Sequence, residues 1–97
     1  MAAETTKWDP AEHLDSPAAI AAYIDAALED GDPTVITAAL GDVARAEGMS
    51  KLARDTGLAR EALYRSLSAE GSPEFSTVLK VMKALGLRLS AVRGPSL

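Results

Sequence analysis

The sequence predicts an all-α chain of five short helices. Apolar residues recur at three- and four-residue spacing in five separate runs, and helix-start and helix-stop residues bracket most of those runs. Period-two alternation is confined to one late stretch, LRLSA, at residues 87–91. Ninety-seven residues suit one domain with a modest core, which marginal stability or a partner chain would accompany. The reading divides the chain into an N-terminal arm, residues 1–15, and a single helical domain, residues 16–97.

In the arm, Trp8 is the only tryptophan and Pro10 discourages regular structure before it. Ser16-Pro17 is an N-cap followed by a first helical residue. Ile20, Tyr23, Ile24, Ala27 and Leu28 then form one apolar side, and Gly31 is the stop. Asp32-Pro33 repeats the start signal for a second helix reaching about Glu47, with Val35, Ile36, Ala39, Leu40 and Val43 as its stripe and Gly48 as its stop. Gly41 weakens this helix slightly or lets another helix come close. Ser50 is expected to cap a very short helix over about 51–56, with Gly57 as the turn. A fourth helix follows from about Arg60 to Leu67, then a loop over 68–74. The fifth carries Phe75, Val78, Leu79, Met82 and Leu85 and ends at Gly86. The alternating tail reads as a short strand or extended segment.

Several functions are excluded early. With no cysteine, disulfides, thiolate zinc sites and cysteine nucleophiles are ruled out. His13, the only histidine, has no partner for a metal site and reads as a solvated or capping residue; no metal and no cofactor is expected. Asp30 and Asp32 around Gly31 lack the length and distal glutamate of a calcium loop. No nucleophile elbow or glycine-rich phosphate loop is present, so no catalysis is expected. The N-terminus lacks a signal pattern and no run is long enough for a membrane helix, so the expectation is a cytoplasmic protein without a membrane partner.

The charge is unevenly placed. The net charge is −4, yet residues 1–50 hold two basic and ten acidic residues while residues 51–97 hold eight basic and four acidic ones. One explanation is a solvated acidic face. The other is two surfaces for two partners of opposite charge.

Residues 50–67 carry the most specific pattern. A helix-turn-helix needs a small residue on its first helix, a glycine in its turn and an apolar anchor in its second helix. Ala53, Gly57 and Leu63 fill these roles, flanked by Leu52 and Leu58. Arg60, Glu61, Tyr64 and Arg65 then project away from Leu63 and Leu67. Arginine offers a bidentate fork to guanine. Tyr64 either touches a phosphate or packs beside Leu67, and Glu61 either faces outward or pairs with an arginine. Ala59 stands where a capping serine or threonine would serve better. A purely structural helix corner fits the spacing as well.

The stretches DPAEHL, AAYIDAALEDGDPTVITAALGDVARAEGMSKLARDTGLAREALYRSLSAEG and STVLKVMKALGLRL together resemble the addiction-module antidote family of type II toxin–antitoxin systems, over roughly residues 9–92. Ser72 departs from the asparagine expected in an EGNP loop. The resemblance implies a five-helix λ-repressor-like helix-turn-helix domain with an arm and a short C-terminal extended segment. It also implies an antitoxin that binds a small basic RelE/ParE-like toxin and represses its own operon as a dimer on palindromic double-stranded operator DNA. It places Arg60, Glu61 and Arg65 where such domains read bases, and Ser50 and Lys51 where they hold phosphates. The DNA-facing candidates are therefore Ser50, Lys51, Ala59, Arg60, Glu61, Tyr64 and Arg65. The toxin-facing candidates, taken from the acidic half, are Trp8, Asp9, Glu12, Asp15, Tyr23, Asp25 and Glu29. The rival readings are a stand-alone helix-turn-helix regulator and a helical protein-interaction module that never touches DNA.

Overall fold

The computed structural model describes residues 14–94, which form five helices and no strand. The first, α1 (Pro17–Asp30), starts as the sequence predicts: the Ser16 hydroxyl accepts from the Ala19 N–H at 3.1 Å, and Pro17 occupies the first turn, where its missing N–H costs nothing. The second, α2 (Pro33–Glu47), starts the same way, with Asp32 accepting from the Thr34 N–H at 2.9 Å. Only Gly31 and Asp32 separate the two helices, so α2 folds back along α1. Ile20, Ile24 and Ala27 of α1 are buried with Ala39, Leu40, Val43 and Ala44 of α2. Leu14, which precedes α1, joins this core at 5% exposure.

The third helix, α3 (Met49–Thr56), begins earlier than the sequence suggested. Ser50 is not its cap. It lies exposed in the first turn, and Gly48 holds the cap position without a side-chain hydrogen bond. Met49 explains the shift: its side chain is buried, and starting the helix there turns it into the core. At the other end Gly57 adopts φ 74°, and its N–H bonds the Ala53 carbonyl at 2.9 Å. This left-handed turn, natural for glycine, redirects the chain into α4 (Arg60–Ser66) within three residues. Thr56 ties the same corner, donating to the Leu52 carbonyl at 2.8 Å and accepting from the Leu58 N–H at 3.2 Å.

After a loop, α5 (Phe75–Ala84) closes the fold. Its end is a Schellman motif: the Gly86 N–H bonds the Lys83 carbonyl and the Leu87 N–H bonds the Met82 carbonyl, with Gly86 at φ 78°. The buried side of α5 differs from the expected stripe. Val81 and Met82 are buried and Val78 and Leu85 half-buried, whereas Phe75 is 67% and Leu79 42% exposed. The core meets this helix over a narrower arc than a five-residue stripe requires. Leu28 and Val35 likewise fall outside the core, at 38% and 40% exposure near the α1–α2 turn. The tail keeps its alternation without forming a strand, with Leu87 and Leu89 packed on the core and Arg88 and Ser90 exposed. Among the described residues, no helix is long and apolar enough to cross a membrane.

Two glycines mark close backbone approaches. Gly41 is buried in the middle of α2, and a Cβ there would run into the carbonyl oxygen of Leu67, which ends α4. Gly71 folds the following loop over α4, where a Cβ would meet the carbonyls of Arg65 and Ser66. Alanine normally favours a helix interior over glycine by about 1 kcal/mol. At Gly41 overlap with a backbone atom outweighs that preference, so Gly41→Ala should destabilise the fold by about 1–3 kcal/mol in chemical denaturation. A Gly41→Ala protein more stable than wild type would show that α2 and the end of α4 do not meet in this way.

Candidate nucleic-acid interface

The short α4, seven residues long, cannot be stable by itself. It is held from below. Leu63 and Leu67, one turn apart, are 0% and 1% exposed. Burying one side leaves the other outside: Arg60, Glu61, Tyr64 and Arg65 are all exposed, and Ala59 is exposed at the cap position. Ala59 gives α4 no side-chain cap, so the turn depends on Gly57 and Thr56 instead. Across the corner, Ser50 and Lys51 are exposed near the start of α3. The sequence candidates thus divide into an outward set on α4 and a pair on α3, borne by two helices that pack together.

The polar contacts within this set are specific. The Arg60 guanidinium carbon lies 5.4 Å from the centroid of the Tyr64 ring, and Arg60 Nη2 donates to Tyr64 Oη at 3.5 Å. Tyr64 therefore contacts Arg60 and remains 42% exposed, rather than disappearing beside Leu67. Glu61 forms no ion pair with either arginine among the described residues. Lys51 Nζ reaches Asp55 Oδ2 at 3.1 Å, one helical turn away. This exposed pair contributes little to stability and leaves the ammonium available to a stronger anion. The i,i+4 spacing permits this pair, although the helix-turn-helix pattern does not mark Asp55. Exposed Arg54, on the same helix, adds another cation.

The acidic candidates that the structure describes lie on or just before α1. Trp8, Asp9, Glu12 and His13 lie outside the described residues. Asp15 is exposed before α1, and Asp25 and Glu29 are exposed on α1. Tyr23 has a different setting. Its hydroxyl donates to Asp42 Oδ2 at 2.6 Å, and Asp42 Oδ1 receives Arg45 Nη2 at 2.8 Å, so the tyrosine clamps α1 to α2. Burial, then the hydrogen bond to Asp42 and its negative charge, push the phenol up to about 12 from 10.0, against a smaller opposing pull from Arg45. The half-buried ring also lines a cleft of about 430 Å³ between the helices, together with alanines, Val35, Asp30 and Asp42.

Because the folded state holds the phenolic proton more tightly than the unfolded chain, the clamp contributes fully below pH 10 and is lost as pH rises through about 12. Tyr23→Phe should cost about 1 kcal/mol at neutral pH, since Asp42 keeps Arg45 as a partner. The difference from wild type should shrink above pH 10. A gap that persists unchanged to pH 12 would rule out the hydroxyl as its source.

A protein of Haemophilus influenzae described as an uncharacterized protein is 48% identical over 88 residues, covering 91% of both chains. No solved structure matches the chain. A family model described as "probable addiction module antidote protein" matches residues 4–93, nearly the whole sequence. The chain belongs to this family of addiction module antidotes.

Proposed function

We propose that the protein is the antitoxin of a type II toxin–antitoxin system, neutralising a small basic RelE/ParE-like toxin by direct binding. We further propose that it represses its own operon through a λ-repressor-like helix-turn-helix, as a homodimer on palindromic DNA. Family membership supports an antidote with a toxin partner and favours a regulatory, non-enzymatic role. The observation that carries the DNA-binding part is the division of α4 into a buried side, Leu63 and Leu67, and an outward side, Arg60, Glu61, Tyr64 and Arg65. Such a helix presents its first turn and exposed face to the edges of bases in the major groove. Ser50, Lys51 and Ala59 border it and suit phosphate contacts that fix the register. A single α4 reads only a few base pairs, which is why two copies on two half-sites are part of the proposal.

An acidic chain does not oppose this reading. The field that DNA meets is local, and α3 and α4 carry Lys51, Arg54, Arg60 and Arg65 against Asp55 and Glu61. The toxin is proposed to meet the acidic half instead, through Asp15, Asp25 and Glu29, with Tyr23 at the α1–α2 cleft and Trp8, Asp9 and Glu12 preceding it. Charge complementarity there would speed association and fix orientation.

In gel shifts on the DNA upstream of its own gene, Arg60→Ala or Arg65→Ala should cost about 1–3 kcal/mol and relax sequence preference, while Lys51→Ala should weaken all duplexes alike. If both arginine variants bind like wild type, α4 does not read the operator. For the toxin surface, charge reversal at Asp25 and Glu29, and separately removal of residues 1–13, should reduce rescue of toxin-expressing cells while operator binding persists. Full rescue by both proteins would place the toxin elsewhere.

A further inference from the structure

Arg60 and Arg65 have the same chemistry on the same exposed side of α4, but the structure treats them differently. Arg60 opens the helix, and Tyr64, one turn later, lies under its guanidinium at 5.4 Å with the phenol oxygen 3.5 Å from Nη2. The Arg65 guanidinium has no ring, carboxylate or hydroxyl partner among the described residues. A free arginine side chain spreads over many rotamers, and confining it costs free energy when it binds. A tyrosine has only two side-chain torsions and is anchored to the helix backbone, so it supplies a comparatively fixed plate. A guanidinium held against that plate by cation–π attraction samples fewer rotamers before any DNA arrives.

We propose that Tyr64 is the positioning residue that pre-orients the Arg60 fork for the O6 and N7 acceptors of one guanine in each half-site. Arg65, lacking such a plate, is the adaptable contact. This inference rests on the proposed DNA-binding role and adds to it the base that Arg60 selects and the residue that enforces the selection. Glu61 does not compete, because it pairs with neither arginine. Tyr64 acts here through Arg60. A direct contact from its hydroxyl to a phosphate would predict different behaviour, since phosphate contacts serve every sequence equally.

The test uses the full chain and fluorescence anisotropy on two duplexes at one salt concentration: the upstream DNA of its own gene and a scrambled duplex of equal length. Tyr64→Phe keeps the ring and should stay within about twofold of wild type, whereas Tyr64→Leu should weaken operator binding about three- to tenfold and leave the scrambled duplex unchanged. Tyr64→Gln, a second ring-less variant, should behave as Tyr64→Leu does, which guards against a local folding defect in either protein. In an Arg60→Ala background, Tyr64→Leu should cause no further loss. Replacing the contacted guanine by 7-deazaguanine should harm wild type and Tyr64→Phe more than Tyr64→Leu. Equal weakening on both duplexes, or a full additional loss on top of Arg60→Ala, would overturn the proposal in favour of a phosphate contact. Wild-type affinity in both ring-less variants would also overturn it. If wild type shows no preference for its own upstream DNA, the DNA-binding reading falls first and takes this assignment with it. If wild type shows the preference and the Tyr64 results fail, only this assignment falls.

Discussion

The approach of Gly41 to the carbonyl of Leu67 is the constraint on which the exposed corner depends. The seven residues of α4 have too few internal hydrogen bonds to persist unaided, so their position comes from what lies beneath them. Leu63 and Leu67 drive the helix toward the core by burial, and the missing side chain at Gly41 lets its last carbonyl settle against α2. Once that end is fixed, the Gly57 turn fixes the other, and the outward direction of Arg60, Glu61, Tyr64 and Arg65 follows from helical geometry alone. The cost of a glycine in the middle of α2 is accepted because a larger residue would push α4 outward.

The remaining helices supply the platform. α3 packs against α2, α4 and α5, which makes it the hub of the C-terminal half. α1 is attached mainly to α2, through Ile20, Ile24 and Ala27 and through the Tyr23–Asp42–Arg45 chain. This connectivity gives physical content to the charge asymmetry of the sequence. Acidic residues exposed on α1 and basic residues exposed on α3 and α4 therefore stand on helices that pack mainly against different neighbours.

Much of this was legible in the sequence, and the exceptions share a cause. Ser16-Pro17 and Asp32-Pro33 marked their helix starts because capping is local chemistry, decided within four residues. Gly57 and Gly86 marked their ends for the same reason. Ser50 misled, because the pull of a buried Met49 on the core outweighed a hydroxyl that could have capped the helix. The apolar spacing omits the buried Val81 and includes the exposed Phe75 and Leu79, since periodicity identifies an apolar side but not how wide an arc the neighbouring helices cover. At the corner, the outward set could be read from spacing, whereas the stacking of Arg60 on Tyr64 and the pairing of Tyr23 with Asp42 depend on side-chain placement that spacing does not determine.

We propose that the α3–α4 corner is a DNA-reading face separate from the acidic α1 surface. Amide chemical shifts of the isotope-labelled protein, titrated with a duplex from upstream of its own gene, test it most directly. Perturbations should concentrate at Ser50, Lys51 and residues 59–65, with Asp25 and Glu29 nearly unmoved. Perturbations centred on α1, or none at a salt concentration where the duplex is bound, would contradict it.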